Sequence, residues 1–131
     1  MTMTTAILCV DDDKLVLNSL RLQLSRYYAN QYTLEFAQDA HEGFEVIEEL
    51  AACDIKTVVI ISDWIMPGMN GDEFLLRVRE SYPKINTMIL TGQAGEKKLS
   101  ELDNLKGVHR IMEKPWNEAQ LINTVNQMLG K

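Results

Sequence analysis

The sequence predicts an α/β fold built on a five-stranded parallel sheet with helices on both faces. Three observations predict it. Short apolar runs alternate with longer amphipathic segments from one end of the chain to the other, as five βα units in a row. The central run, Thr57-Val58-Val59-Ile60-Ile61-Ser62, is β-branched and apolar almost throughout, as in a strand covered on both faces. The length, 131 residues with 46% hydrophobic, suits one domain, residues 1–131, that buries a sizeable core without metal or disulfide staples.

Each element has its own signal. Residues 5–10 form a short apolar run and the first strand. From Leu15 the apolar residues Leu17, Leu20, Leu24 and Tyr28, with Leu15 and Leu22, fall at helical spacing. Residues 32–37 alternate as a second strand. A helix over 39–51 is capped by Asp39 and carries Ala40, Phe44, Ile47, Leu50 and Ala51 at three- and four-residue steps. The third strand is 57–62, and Pro67-Gly68 and Asn70-Gly71 mark the loop after it. A helix over 72–82 ends before Pro83, and residues 86–90 are a fourth strand ending at Thr91-Gly92. Residues 96–105 read as a shorter, more polar helix, and 108–112 as the fifth strand. Pro115 breaks the chain, and Asn117 caps a last helix over 118–129.

Composition removes several function classes. The net charge is −6, and the longest basic cluster is Lys97-Lys98, so direct nucleic-acid binding is not expected. No apolar run reaches the roughly 18 residues of a membrane span, so no membrane partner is expected. Residues 1–5 lack the charged and apolar regions of a signal peptide, which predicts a cytoplasmic location. Cys9 sits inside an apolar run and reads as a small core residue, and its spacing to Cys53 is not that of a metal site.

An open parallel sheet binds ligands at the carboxyl ends of its strands. Asp11-Asp12-Asp13 follow the first strand, Asp63 the third, Thr91 the fourth, and Glu113-Lys114 the fifth. Converging carboxylates repel: two charges about 4 Å apart cost roughly 4 kcal/mol at an effective dielectric of about 20. They must take a proton, pair with a cation or bind a metal. Oxygen ligands favour a hard ion such as Mg²⁺, held by Asp12 and Asp63 with a backbone carbonyl. Thr91 adds a hydroxyl and Lys114 an ammonium. A carboxylate nucleophile, a divalent ion, a hydroxyl and an ammonium are the parts of acyl-phosphate formation. Singly, each has an ordinary reading: Asp13 as a helix cap, Asp63 as a loop residue, Thr91 in a turn, Lys114 on the surface. Their arrival together at successive strand ends argues for chemistry.

The strings Ile7-Leu8-Cys9-Val10-Asp11-Asp12-Asp13, Asp63-Trp64-Ile65-Met66-Pro67-Gly68-Met69-Asn70-Gly71, Thr91-Gly92 and Lys114-Pro115 closely resemble those of two-component response regulator receiver domains of the CheY-like kind. The resemblance covers essentially the whole chain. It implies a flavodoxin-like (βα)5 fold with strand order 2-1-3-4-5. It implies that Asp63 attacks the phosphoryl group of a phosphohistidine on a histidine kinase or phosphotransfer protein. It further implies that Asp12 and Asp63 ligate Mg²⁺ with the main-chain carbonyl of Ile65, Asp11 through water. Thr91 and Lys114 would contact the phosphoryl oxygens, and the Lys114-Pro115 bond would be cis. Phosphorylation would shift the face of the last two helices and the fifth strand, which would act on an output domain beyond this chain, another partner or a second copy in a homodimer. The domain would assist its own phosphorylation and dephosphorylation without being an enzyme.

Two departures stand out. Three residues before the lysine such domains usually carry Tyr or Phe, and here stands Ile111, so the usual aromatic rotation is unavailable; His109 lies nearby. Trp116 resembles receivers joined to cyclic-di-nucleotide signalling domains, especially HD-GYP phosphodiesterases. Other classes fit less well. An aspartyl-phosphate phosphatase often carries a second acid at plus two, where Ile65 stands, and a dinucleotide-binding oxidoreductase needs a glycine-rich turn after the first strand. A receiver-like interaction module that takes no phosphate would lack some site residues, and none is missing.

Overall fold

The structure is a computed structural model that describes residues 3–92 and 106–131. Its elements in chain order are β1 (Thr5–Val10), α1 (Lys14–Tyr28), β2 (Thr33–Ala37), α2 (Ala40–Ala52), β3 (Lys56–Asp63), α3 (Gly71–Ser81), β4 (Asn86–Thr91), β5 (Arg110–Glu113) and α4 (Glu118–Met128). The helix expected over 96–105 lies outside the described residues. The five strands are parallel and ordered β2-β1-β3-β4-β5, as the resemblance implied.

The alternation of side chains along β1 and β3 divides the core into two layers. Ile7, Cys9, Val59 and Ile61 face α1 and α4, where Leu20, Leu24, Leu121 and Val125 pack on them. Leu8, Val10 and Ile60 face the other way, toward α2 and α3, where Ile47, Phe74 and Val78 close the layer. Because both faces are covered, the inner strands need apolar residues at every position, and that is why they read as unbroken runs. Cys9 is fully buried and burial drives its thiol pKa upward, as for a core residue.

Helix starts follow the capping chemistry read from the sequence. The side chains of Asp13, Asp39 and Asn117 accept from the backbone N–H of Leu15, Glu42 and Gln120 at 2.9, 2.8 and 2.7 Å. β3 runs one residue further than expected at each end, and β5 begins at Arg110 rather than at 108. Those differences matter at the site, because they place Asp63 and Glu113 inside the ladder.

Candidate active site at the carboxyl edge of the sheet

Adjacency of β1 and β3 brings Asp11 and Asp63 to one edge, although they are far apart in sequence. Asp63 is the last residue of β3 and lies in register with Leu90, and the Trp64 N–H continues the ladder onto the Leu90 carbonyl at 3.0 Å. Asp63 is thus held by a strand rather than by a mobile loop. The three aspartates after β1 divide their work. Asp11 is fully buried, and its Oδ1 accepts from the Asp13 N–H at 2.8 Å. Asp12 is exposed, and Asp13 caps α1.

Lys114 joins the two buried carboxylates. Its backbone N–H donates to the Thr91 carbonyl at 2.8 Å, which fixes it beside the end of β4. Its Nζ then reaches Asp11 Oδ2 at 2.9 Å and Asp63 Oδ1 at 3.0 Å. Asp63 Oδ1 also accepts from the Trp64 N–H at 3.0 Å, so neither bond uses Oδ2. The Lys114-Pro115 bond is cis, as the resemblance implied.

The charges at this edge do not balance. Burial first, then the Asp11 charge, raises the Asp63 pKa above the ordinary carboxylate value, against the opposing pull of Lys114. Burial would lower the Lys114 pKa, but its bonds and charge contacts with Asp11 and Asp63 outweigh it and the net shift is upward. Three carboxylates against one ammonium leave an excess of negative charge that suits a divalent cation. The geometry suits one too: ligand oxygens of Asp11, Asp12 and Asp63 all lie within 4.8 Å of one another. Oxygens on an octahedral Mg²⁺ stand roughly 3 to 4 Å apart, from bond lengths of about 2.1 Å. The donor set is all oxygen, so the residues present fit this ion.

The remaining residues singled out in the sequence are divided between this edge and the rest of the sheet. Thr91 is buried at the end of β4, and its hydroxyl makes a long 3.4 Å contact to the Gly92 carbonyl. Ile65 stands exposed two residues beyond Asp63. Trp64 is half-buried, and Trp116 donates its indole N–H to Gln23 on α1 at 2.8 Å. Ile111 is half-buried, pairs with Ile89 and packs with the α2–α3 layer. His109 is tied to β4: its Nδ1 accepts from the Thr87 N–H at 3.1 Å, and its own N–H meets Thr87. It sits at the start of β5, remote from the strand ends that carry the cluster.

Two supporting residues went unread in the sequence. Gly71 was taken only as a loop marker. In the structure its N–H donates to the Trp64 carbonyl at 2.6 Å, and a Cβ there would stand 2.0 Å from the Asp63 carbonyl oxygen. Ser62 is fully buried and its hydroxyl donates to that same carbonyl at 2.9 Å. The conjunction of Asn70-Gly71 with a strand-end aspartate was the available signal. Asn70 does not cap α3 with its side chain, and instead accepts from the Met66 N–H at 3.2 Å, which folds the intervening loop.

The profile of the response regulator receiver domain family matches residues 7–126. The chain belongs to that family, whose members work as phosphoacceptors in two-component signalling, with Mg²⁺ at an acidic pocket. It is 29% identical over 97% of its length to the sensor kinase CckA of Brucella abortus, and 30% identical over 98% to the response regulator MprA of Mycolicibacterium vanbaalenii. It spans only 13% of the former and 52% of the latter. Among solved structures, it superposes on the signal receiver domain of an HD domain-containing protein from Pseudomonas fluorescens with a TM-score of 0.81 and 28% identity, covering 98% of this chain and 96% of that one.

Proposed function

We propose that residues 1–131 act as one receiver domain in which Asp63 is the phosphoacceptor. The observation that carries this reading is the position of Asp63 at a strand end, between the Lys114 ammonium at 3.0 Å and the Asp11–Asp12 carboxylates. A carboxylate oxygen of Asp63 attacks the phosphorus of a phosphohistidine on a histidine kinase or phosphotransfer protein. A P–O bond forms, the P–N bond breaks, and the imidazole nitrogen keeps the electron pair and then takes a proton. Lys114 faces the incoming oxygens and stabilises their charge. Asp12 and Asp63, with the Ile65 carbonyl, would hold Mg²⁺, and Asp11 would hold it through water. When bound, that ion supplies charge neutralisation for the transferring phosphoryl group. By placing these groups the domain assists both its phosphorylation and its dephosphorylation.

The phosphoryl group adds about −1.5 to −2 charges at the edge. Among the described residues the Thr91 hydroxyl has a long contact to the Gly92 carbonyl to give up, and it turns toward the new oxygens. With Ile111 in place of an aromatic, that displacement is the readout, and the β5–α4 face carries it to an output domain outside this chain or to a second copy in a homodimer. The Pseudomonas fluorescens neighbour belongs to an HD domain-containing protein, which with Trp116 supports an output domain of that kind. Among the described residues no helix is long and apolar enough to cross a membrane. That and the acidic charge fit a cytoplasmic module without direct nucleic-acid contacts.

The test is incubation with acetyl phosphate, with and without Mg²⁺, followed by intact-mass measurement. The wild-type chain gains one phosphoryl group only with Mg²⁺, and Asp63→Asn gains none. Normal labelling of Asp63→Asn contradicts the assignment.

A further inference from the structure

Lys114 lies just past the end of β5, and regular structure does not resume until α4 begins at Glu118. The Thr91 carbonyl holds its backbone N–H at 2.8 Å, but the long side chain that carries the ammonium is flexible and 20% exposed. Between this segment and α1 lies a groove of about 430 Å³, with Val16, Ser19 and Gln23 on one side and Lys114, Pro115 and Trp116 on the other. Packing across the groove therefore leaves the segment room to shift. The Trp116 indole spans it: the ring N–H donates to Gln23 Oε1 at 2.8 Å, and both residues are half-buried. Gln23 is a firm anchor because α1 is tied to the site at its other end. Asp13 caps α1, and the Asp13 N–H is held by Oδ1 of Asp11, whose Oδ2 accepts from Lys114. Gln23 lies roughly 15 Å along that helix from Asp13, at about 1.5 Å per residue. Lys114, Asp11, α1, Gln23 and Trp116 thus close a circuit of bonds that begins and ends at the lysine.

We propose that Trp116 and Gln23 are positioning residues for phosphoryl transfer: their bond closes the circuit across the groove and holds Lys114 against Asp11 and Asp63. The proposal rests on the reading of Asp63 as the phosphoacceptor. Neither residue touches the reacting atoms, and both act through Lys114. The ammonium is effective only where it meets the transferring oxygens, since electrostatic stabilisation depends on donors fixed in advance. A misplacement of about 1 Å lowers such a contribution steeply. Indole suits the task. Its ring packs against the α1–α4 core layer, and its N–H is a donor that needs an acceptor. A phenylalanine ring could pack at this position but would make no bond to Gln23.

The test measures labelling rates of the 131-residue chain with acetyl phosphate and Mg²⁺ by intact mass. Trp116→Phe keeps an aromatic ring and removes the donor; Gln23→Leu removes the acceptor without loss of helix propensity. Each should slow labelling about threefold to tenfold, as for one lost hydrogen bond. The double variant should be no slower than the slower single, because both remove the same bond. Gln23→Glu keeps an acceptor oxygen and should label at nearly the wild-type rate. A second readout follows Lys114 itself: its ε-methylene signal in carbon–proton NMR, assigned by its loss in Lys114→Arg. Held against two carboxylates, the two methylene protons should give separate signals. In Trp116→Phe and Gln23→Leu they should merge as the side chain averages its rotamers, a change that lost packing elsewhere does not cause. The proposal is overturned by variants that label at the wild-type rate, by a double variant slowed by the product of the two singles, or by slowed labelling with the Lys114 signals unchanged. If Trp116→Phe fails to fold, Gln23→Leu decides alone. A wild-type chain that takes no phosphoryl group sinks the Asp63 reading, and this proposal with it.

Discussion

Asp63 carries a stability cost that its neighbours explain. It shares an edge with the buried Asp11 and the exposed Asp12, and one ammonium offsets part of their charge. Removing that charge relieves repulsion, so in Mg²⁺-free buffer Asp63→Asn should be more stable than the wild type by about 1 kcal/mol, as when a functional charge cluster is neutralised. A denaturant melt checks this, and an unchanged or lower midpoint contradicts it. His109 works in the opposite sense. Burial, then the charges of Arg79 and Arg110, hold its pKa below the ordinary 6.5. The unfolded chain takes a proton below about pH 6.5 that the folded chain resists, so stability is full above that pH and falls as pH drops toward the lowered folded value. His109→Asn keeps an acceptor for the Thr87 N–H and removes the titration, and its stability should fall less between pH 7 and 5.5 than that of the wild type. A matching fall would place the titration elsewhere.

Elements matter through where they end. Gly71 opens α3 against the Asp63 carbonyl, and no side chain fits between them. Gly71→Ala therefore pushes α3 away from the end of β3, costing roughly 1–3 kcal/mol as overpacking does, and it should slow phosphorylation by acetyl phosphate as well. Thermal melts and the labelling rate read the two effects, and a variant with wild-type values for both would show that the junction tolerates a shift. The same element ends mark the limit of what the sequence told. Apolar runs located all five strands, because strands covered on both faces need apolar residues at every position. Asp13, Asp39 and Asn117 gave the helix starts, because capping is local chemistry. Strand order came only with the family resemblance, since periodicity carries no information about neighbours. The ends of β3 and β5 were misplaced by one or two residues because Lys56, Asp63 and Glu113 are polar yet remain in the ladder. The cluster's membership was legible from strand ends, but the Lys114 bridge joins residues 103 and 51 positions away and is a tertiary fact. Gly71 and Ser62 escaped notice because their role is a close approach to a backbone oxygen, which leaves no charge or periodicity in the sequence.

For the whole molecule, the two core layers hold a sheet whose carboxyl edge collects the charge, and an ion bound there would be linked to folding. An ion that binds the folded cluster and not the unfolded chain should raise the melting temperature, by the equivalent of about 2.7 kcal/mol at a hundredfold excess over Kd. Calorimetry should show that rise for Mg²⁺, most of it lost in Asp63→Asn; an equal rise in the variant would place the ion elsewhere. The most direct test of the central claim is to locate the phosphoryl group itself. An acyl phosphate on aspartate is reduced by borohydride to homoserine, so the chain treated with acetyl phosphate and Mg²⁺, then borohydride, can be digested and sequenced by mass spectrometry. Homoserine at position 63 is the predicted result, and homoserine at 11 or 12, or at no aspartate, would contradict it.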